Sequence, residues 1–138
     1  MLGWYTANVN TIYGQFGNRG YNEGHGGIKI LDGLSINTIY KYSMNKNNLT
    51  VDSYNTIMTS YTFTADVPIY LFAINTNGSI DNRRLLGNVY MCQIWDNDNL
   101  IRNYIPCKNS NNVCGLYDLC ENTFYSSGSG VNFVYNES

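Results

Sequence analysis

The sequence predicts an all-β protein, an antiparallel two-sheet sandwich, and three observations carry that expectation. Roughly ten short strand-like runs recur at intervals of about 8–12 residues. No stretch shows sustained helical periodicity. The runs are separated by Asn, Asp and Gly, and the chain holds 13 Gly and 13 Tyr, as suits many turns and half-buried strand residues. A chain of 138 residues can bury one real core, so one domain spanning residues 1–138 is expected.

In chain order, Trp4 to Val9 and Thr11 to Phe16 read as strands. The glycine-rich Tyr21-Asn-Glu-Gly-His-Gly-Gly27 follows as a loop. It has no Gly-Lys-Ser/Thr and leads into a strand, so it is not a phosphate loop. Gly27 to Leu31 is a strand with Ile28 and Ile30 on one face, and Asp32-Gly33 is a hairpin turn. Ile36 to Ser43 resumes as a strand, Lys46-Asn47-Asn48 turns the chain into Leu49 to Asp52, and Thr56 to Phe63 alternates. Val67 to Ile74 is nearly all apolar, as expected of a central strand covered on both faces. Asn75 to Gly78 closes it, and Ser79 to Arg84 reads as a polar loop.

Val89 to Trp95 is a strand with Tyr90, Cys92 and Ile94 toward the core and Val89, Met91, Gln93 and Trp95 opposite. Asp96-Asn-Asp-Asn99 is a hairpin turn, because Asn and Asp tolerate left-handed backbone. Leu100 to Ile105 returns, with Leu100, Arg102 and Tyr104 against Ile101, Asn103 and Ile105. Pro106 is expected to stop it, since proline cannot donate to a ladder. Lys108 to Asn112 is a polar loop, and Val113 to Leu119 is a short strand. Glu121-Asn122 turns into Thr123-Phe-Tyr125. Two successive hairpins make an antiparallel meander.

These residues carry a resemblance. The run Val89-Tyr-x-Cys-x-Ile-Trp-Asp-Asn, then Leu100-Ile-Arg-x-Tyr-Ile-Pro-Cys-Lys-Asn-Ser, Gly115-Leu-Tyr-Asp118, Phe124-Tyr and Gly128-x-Gly resembles a C-terminal signature. It is that of concanavalin A-like (laminin G-like) jelly-roll domains in bacteriophage tail and minor structural proteins, with similar domains in gut-bacterial surface proteins. The likeness is dense over the last third of the chain and thinner upstream, at Val67 to Asn75. It implies a concanavalin A-like jelly roll. Such domains usually have more chain before the Gly-Trp held here by Gly3-Trp4, so the first strands are expected to be lacking. A fragment, strands supplied by a partner, and an exposed sheet edge all remain open.

Composition narrows function. Eight basic and ten acidic residues leave a net charge of −2, so nothing favours nucleic acid or an anionic membrane. No apolar run approaches the roughly 20 residues of a membrane helix, so no membrane insertion is expected. Met1-Leu-Gly-Trp4 lacks the basic start and apolar core of a signal peptide, which favours a virion protein over a secreted one; a truncated start removes that inference. The expected location is the virion, in a phage tail, or the extracellular bacterial surface.

No enzyme is expected. Glycosidases of this fold place paired carboxylates on one strand, and the three Glu (Glu23, Glu121, Glu137) have no acid two residues away on a strand. Asp96-x-Asp98 is a close pair, but it lies in a turn. His25, the lone histidine, sits among glycines with no nucleophile elbow anywhere in the chain. Cys92, Cys107, Cys114 and Cys120 form no Cys-x-x-Cys pair, so a zinc site is not expected. They read as free thiols, with Cys92 and Cys107 as small core residues. Asp96, Asp98 and Asn99 lack the spacing of a full calcium loop, so no metal or other cofactor is assigned.

The leading expectation is a lectin-like module that binds bacterial surface polysaccharide through loops at the sandwich rim. Tyr21, Asn22, His25, Arg83 and Arg84 are the candidate contacts, chosen as loop residues suited to sugar hydroxyls. A structural domain joining other virion or tail proteins, or an adhesion domain of a gut-bacterial surface protein, are the alternatives.

Overall fold

The computed structural model describes residues 12–14, 28–31, 35, 37–46, 48–57, 69–76, 79–84, 87–128 and 131–134. All regular structure among them is antiparallel β-strand. They fall into two units, residues 1–85 and 86–138.

In the first unit, β1 (Ile12–Gly14) pairs with β2 (Ile28–Leu31). A three-stranded sheet follows: β3 (Tyr42–Asn45), β4 (Asn48–Val51) and β5 (Tyr54–Ile57). Its register puts Tyr42 and Met44 beside Val51 and Leu49 on one face. That face is buried, with Leu49 and Val51 wholly covered, while Ser43, Asn45, Asn48 and Asn55 point to solvent. This is the alternation of a sheet with one dry face, and β2 lies against β4 and β5. Burial pushes the Tyr42 phenol up to about 12. The turns use left-handed residues, Lys46 at φ 53° and Asp52 at φ 50°. Asp52 also prolongs the ladder: its N–H donates to the Lys41 carbonyl (2.9 Å), and its Oδ1 accepts the Lys41 N–H (2.8 Å).

A hairpin of β6 (Ala73–Thr76) and β7 (Ser79–Arg84) completes the unit. It corrects two expectations. Ser79 to Arg84 is a strand, not a loop, because pairing with β6 supplies the backbone partners that its polar composition did not suggest. The apolar run before it is not a strand throughout. Leu71-Phe72 is a turn, Phe72 stands at φ 62° where an extended chain cannot continue, and Ile69 is 63% exposed. The strand expected from Ile36 begins only at Tyr42, since Asn37 is left-handed at φ 58° and residues 38–41 are unpaired in any sheet. Trp4 to Val9, the Asp32-Gly33 turn and most of Thr56 to Phe63 lie outside the described residues.

The second unit is a four-stranded meander in the order β11-β10-β9-β8. Its strands are β8 (Cys92–Asp96), β9 (Asn99–Lys108), β10 (Cys114–Asp118) and β11 (Thr123–Ser126). Asp96 pairs with Asn99 across a two-residue loop in which Asn97 (φ 44°) and Asp98 (φ 66°) are both left-handed. That is the type I′ turn whose twist matches the strands. Glycine suits its second position better than aspartate, so Asp98→Gly is expected to raise stability by roughly 0.5–1 kcal/mol in urea unfolding.

β9 runs through Pro106, contrary to the expected stop. β8 begins at Cys92 opposite Tyr104, so beyond Tyr104 only β10 among the described strands pairs with β9, and Pro106 falls opposite Leu116. A missing N–H is tolerated where one side of the strand is open. A bulge opposite Ile94 and Trp95 pairs Arg102 with Ile94 but Leu100 with Trp95, which takes Leu100 out of the face shared by Arg102 and Tyr104. Cys92, Ile94, Tyr104 and Leu116 form the drier part of that face, whereas Tyr90, expected in the core, is 59% exposed. All four cysteines are free.

Candidate functional site

Two groupings of side chains stand out in the second unit, one on each face of the meander. The first is polar and partly buried. Asp118 ends β10 with its side chain fully covered. Its Oδ1 accepts the Cys120 N–H (3.0 Å), a local bond that starts the β10–β11 turn, and the Asn103 N–H from β9 (3.0 Å). Its Oδ2 faces Arg102 Nε at 3.5 Å, and Arg102 NH2 reaches Glu121 Oε1 at 2.7 Å. Glu121 Oε2 accepts the Tyr125 hydroxyl (2.8 Å), and the Tyr125 ring meets Tyr104 edge-on at 5.9 Å. β9, β10, the following turn and β11 are thus tied by ion pairs and hydrogen bonds, with Asp118 Oδ2 held by the Arg102 charge alone and accepting no hydrogen bond among the described residues.

The electrostatics follow from that wiring. Burial pushes the Asp118 carboxyl up, but the backbone N–H groups of Asn103 and Cys120, then Arg102 and the Glu121 N–H, outweigh it, and the carboxyl lies below its ordinary value. The hydrogen bond to Glu121 holds the Tyr125 phenol up. Burial, followed by the Asp118 charge, holds Tyr104 up. Both carboxylates are engaged with Arg102, which makes the cluster a staple for the hairpin.

The second grouping is on the opposite face. Gln93 and Asn103 pair across β8 and β9, and Gln93 Nε2 donates to Asn103 Oδ1 at 3.3 Å. Alternation along β8 puts Trp95 on the same side as Gln93, beside the I′ turn, and the residue is 57% exposed.

Of the residues expected to bind sugar, Tyr21, Asn22 and His25 lie outside the described residues. Arg83 and Arg84 lie on β7, where Arg84 pairs with Ala73, so their backbone belongs to a ladder instead of the expected loop. Among the described residues no three His, Cys, Asp or Glu are placed to hold a metal ion. The Asp118–Arg102–Glu121 staple was not anticipated. Its signal in the sequence is an Asp at a strand end followed three residues later by Glu, but nothing local marks Arg102 as their partner. Compared with family models, with curated proteins and with solved structures, the chain finds no match.

Proposed function

We propose that the chain is a non-catalytic, lectin-like module of a bacteriophage tail or other virion part, built as a concanavalin A-like sandwich and binding bacterial surface carbohydrate. The observation that carries this reading is the coincidence of the signature, where it runs from Cys92 to Ser126, with an antiparallel β-meander. The strands and turns of β8 to β11 fall on the residues that resemble the phage-tail domains. An exposed indole beside an amide pair on that meander adds chemistry suited to sugars. The engagement of Asp118 and Glu121 by Arg102 fits a binding role better than hydrolysis, which needs a free carboxylate pair.

A purely structural virion role is the second reading. Met91, Leu119, Val131 and Val134 are exposed and apolar, the kind of surface that a neighbouring protein covers. Adsorption of the purified chain to bacterial cells separates the two. Adsorption that soluble cell-wall polysaccharide competes away supports the lectin. No adsorption to any of a broad panel of bacteria, by folded protein, supports the structural role.

A further inference from the structure

We infer that Trp95, Gln93 and Asn103 form a saccharide subsite, with the indole stacking on the apolar CH face of a neutral pyranose and the two amides bonding adjacent hydroxyls. The inference rests on the lectin reading and gives it a place and a ligand chemistry.

Three observations carry it. The first is exposure of a costly side chain. More than half of the Trp95 surface meets solvent, and it does so on β8 opposite a bulge and beside a tight turn. An indole there offers a broad, rigid apolar plane with a polar edge, and few rotors are lost when a ligand covers it. The second is spacing. Residues two apart on a strand are separated by about 6.6 Å, so the amide pair lies about one pyranose width from the indole. The Gln93–Asn103 bond uses Gln93 Nε2 and Asn103 Oδ1, and leaves Gln93 Oε1 and Asn103 Nδ2 without partners among the described residues. One acceptor and one donor left over on the paired amides match vicinal hydroxyls, each of which can donate and accept.

The third is preorganisation. Asn97 and Asp98 lock the turn beside Trp95, and Asn97 Nδ2 donates to Asp96 Oδ1 at 2.9 Å. The Asn103 backbone is held on both sides of its peptide. Its N–H donates to Asp118 Oδ1 (3.0 Å), and its carbonyl accepts the Leu119 N–H (2.9 Å). The buried carboxylate on one face therefore fixes the amide presented on the other. A frame already ordered keeps the entropy cost of binding low. Trp95, Gln93 and Asn103 are all uncharged, which selects a neutral sugar. Stacking requires C–H bonds gathered on one ring face, as gluco- and galacto-configured pyranoses provide.

The test is an array of neutral gluco-, galacto- and N-acetylglucosamine oligosaccharides read with wild type, Trp95→Ala, Trp95→Phe and Gln93→Ala. The expected result is binding weakened at least about tenfold in Trp95→Ala, partly restored in Trp95→Phe and weakened in Gln93→Ala. Binding by Trp95→Ala within about twofold of wild type overturns the subsite and leaves the lectin reading standing. Wild type that binds none of these neutral oligosaccharides overturns the subsite, while the lectin reading stands or falls with the competed adsorption to bacterial cells. Should Trp95→Ala fail to fold, the wild-type protein decides. The indole N–H resonance of Trp95, assigned by its loss in Trp95→Phe, must shift on titration with the tightest-binding array oligosaccharide, and a resonance that stays fixed overturns the subsite.

Discussion

Asp118→Ala lowers the melting temperature by about 10 °C or more, the scale of removing a buried charge together with its hydrogen bonds. The loss has two parts. The N–H groups of Asn103 and Cys120 each lose their acceptor at 3.0 Å, and the second of these bonds is the one that starts the β10–β11 turn. Arg102 loses one of its two carboxylates and keeps only Glu121. Differential scanning calorimetry of the variant checks this, and a melting temperature within about 2 °C of wild type would mean that the staple contributes little.

The same carboxylate sets a pH dependence. Its pKa is lowered in the folded protein, so its contribution is complete above the unfolded carboxylate value of about 3.9 and is lost as pH falls through the lower folded value. Wild type therefore loses stability below about pH 4 more steeply than Asp118→Asn, which has no proton to take up there. Urea midpoints measured across that range read the difference directly.

Gly115→Ala is the second large effect, at about 3 kcal/mol, the upper end for overpacking. The Phe124 ring folds over Gly115 from the neighbouring strand, and a Cβ on residue 115 would stand 2.8 Å from Phe124 Cε2 and closer still to Cζ and to the Tyr125 carbonyl oxygen. The carbonyl belongs to the β10–β11 ladder and cannot move without breaking it. Gly87→Ala is the control, since a Cβ there meets nothing within 4 Å. Chemical denaturation should show a large loss in the first variant and none in the second.

Which features the sequence disclosed follows from how local their causes are. The Asp96–Asn99 hairpin was legible because left-handed tolerance is a property of Asn and Asp themselves. The order of β8 to β11 was legible because each connection is short. Pro106 misled because whether its missing N–H matters depends on which strand lies alongside, and that is not a local property. Val67 to Ile74 misled because a continuous apolar run has no period to read, so a turn at Phe72 leaves no trace in it. Arg83 and Arg84 misled because polar composition alone reads as loop, whereas β6 supplies a ladder. The Asp118 staple is a long-range fact: a carboxylate stays buried only where distant groups compensate it, and Arg102 and Asn103 come from another strand. Alternation alone puts Trp95 and Gln93 together on the face away from the core, but Asn103 joins them only through the cross-strand register.

The measurement that bears most directly on the function is a glycan array of the folded protein, with bacterial cell-wall polysaccharide fragments beside mammalian glycans. Reproducible, saturable binding to bacterial surface polysaccharide is the predicted result. No binding to any glycan, by protein whose melting transition shows it to be folded, would contradict the lectin reading and leave the structural virion role in its place.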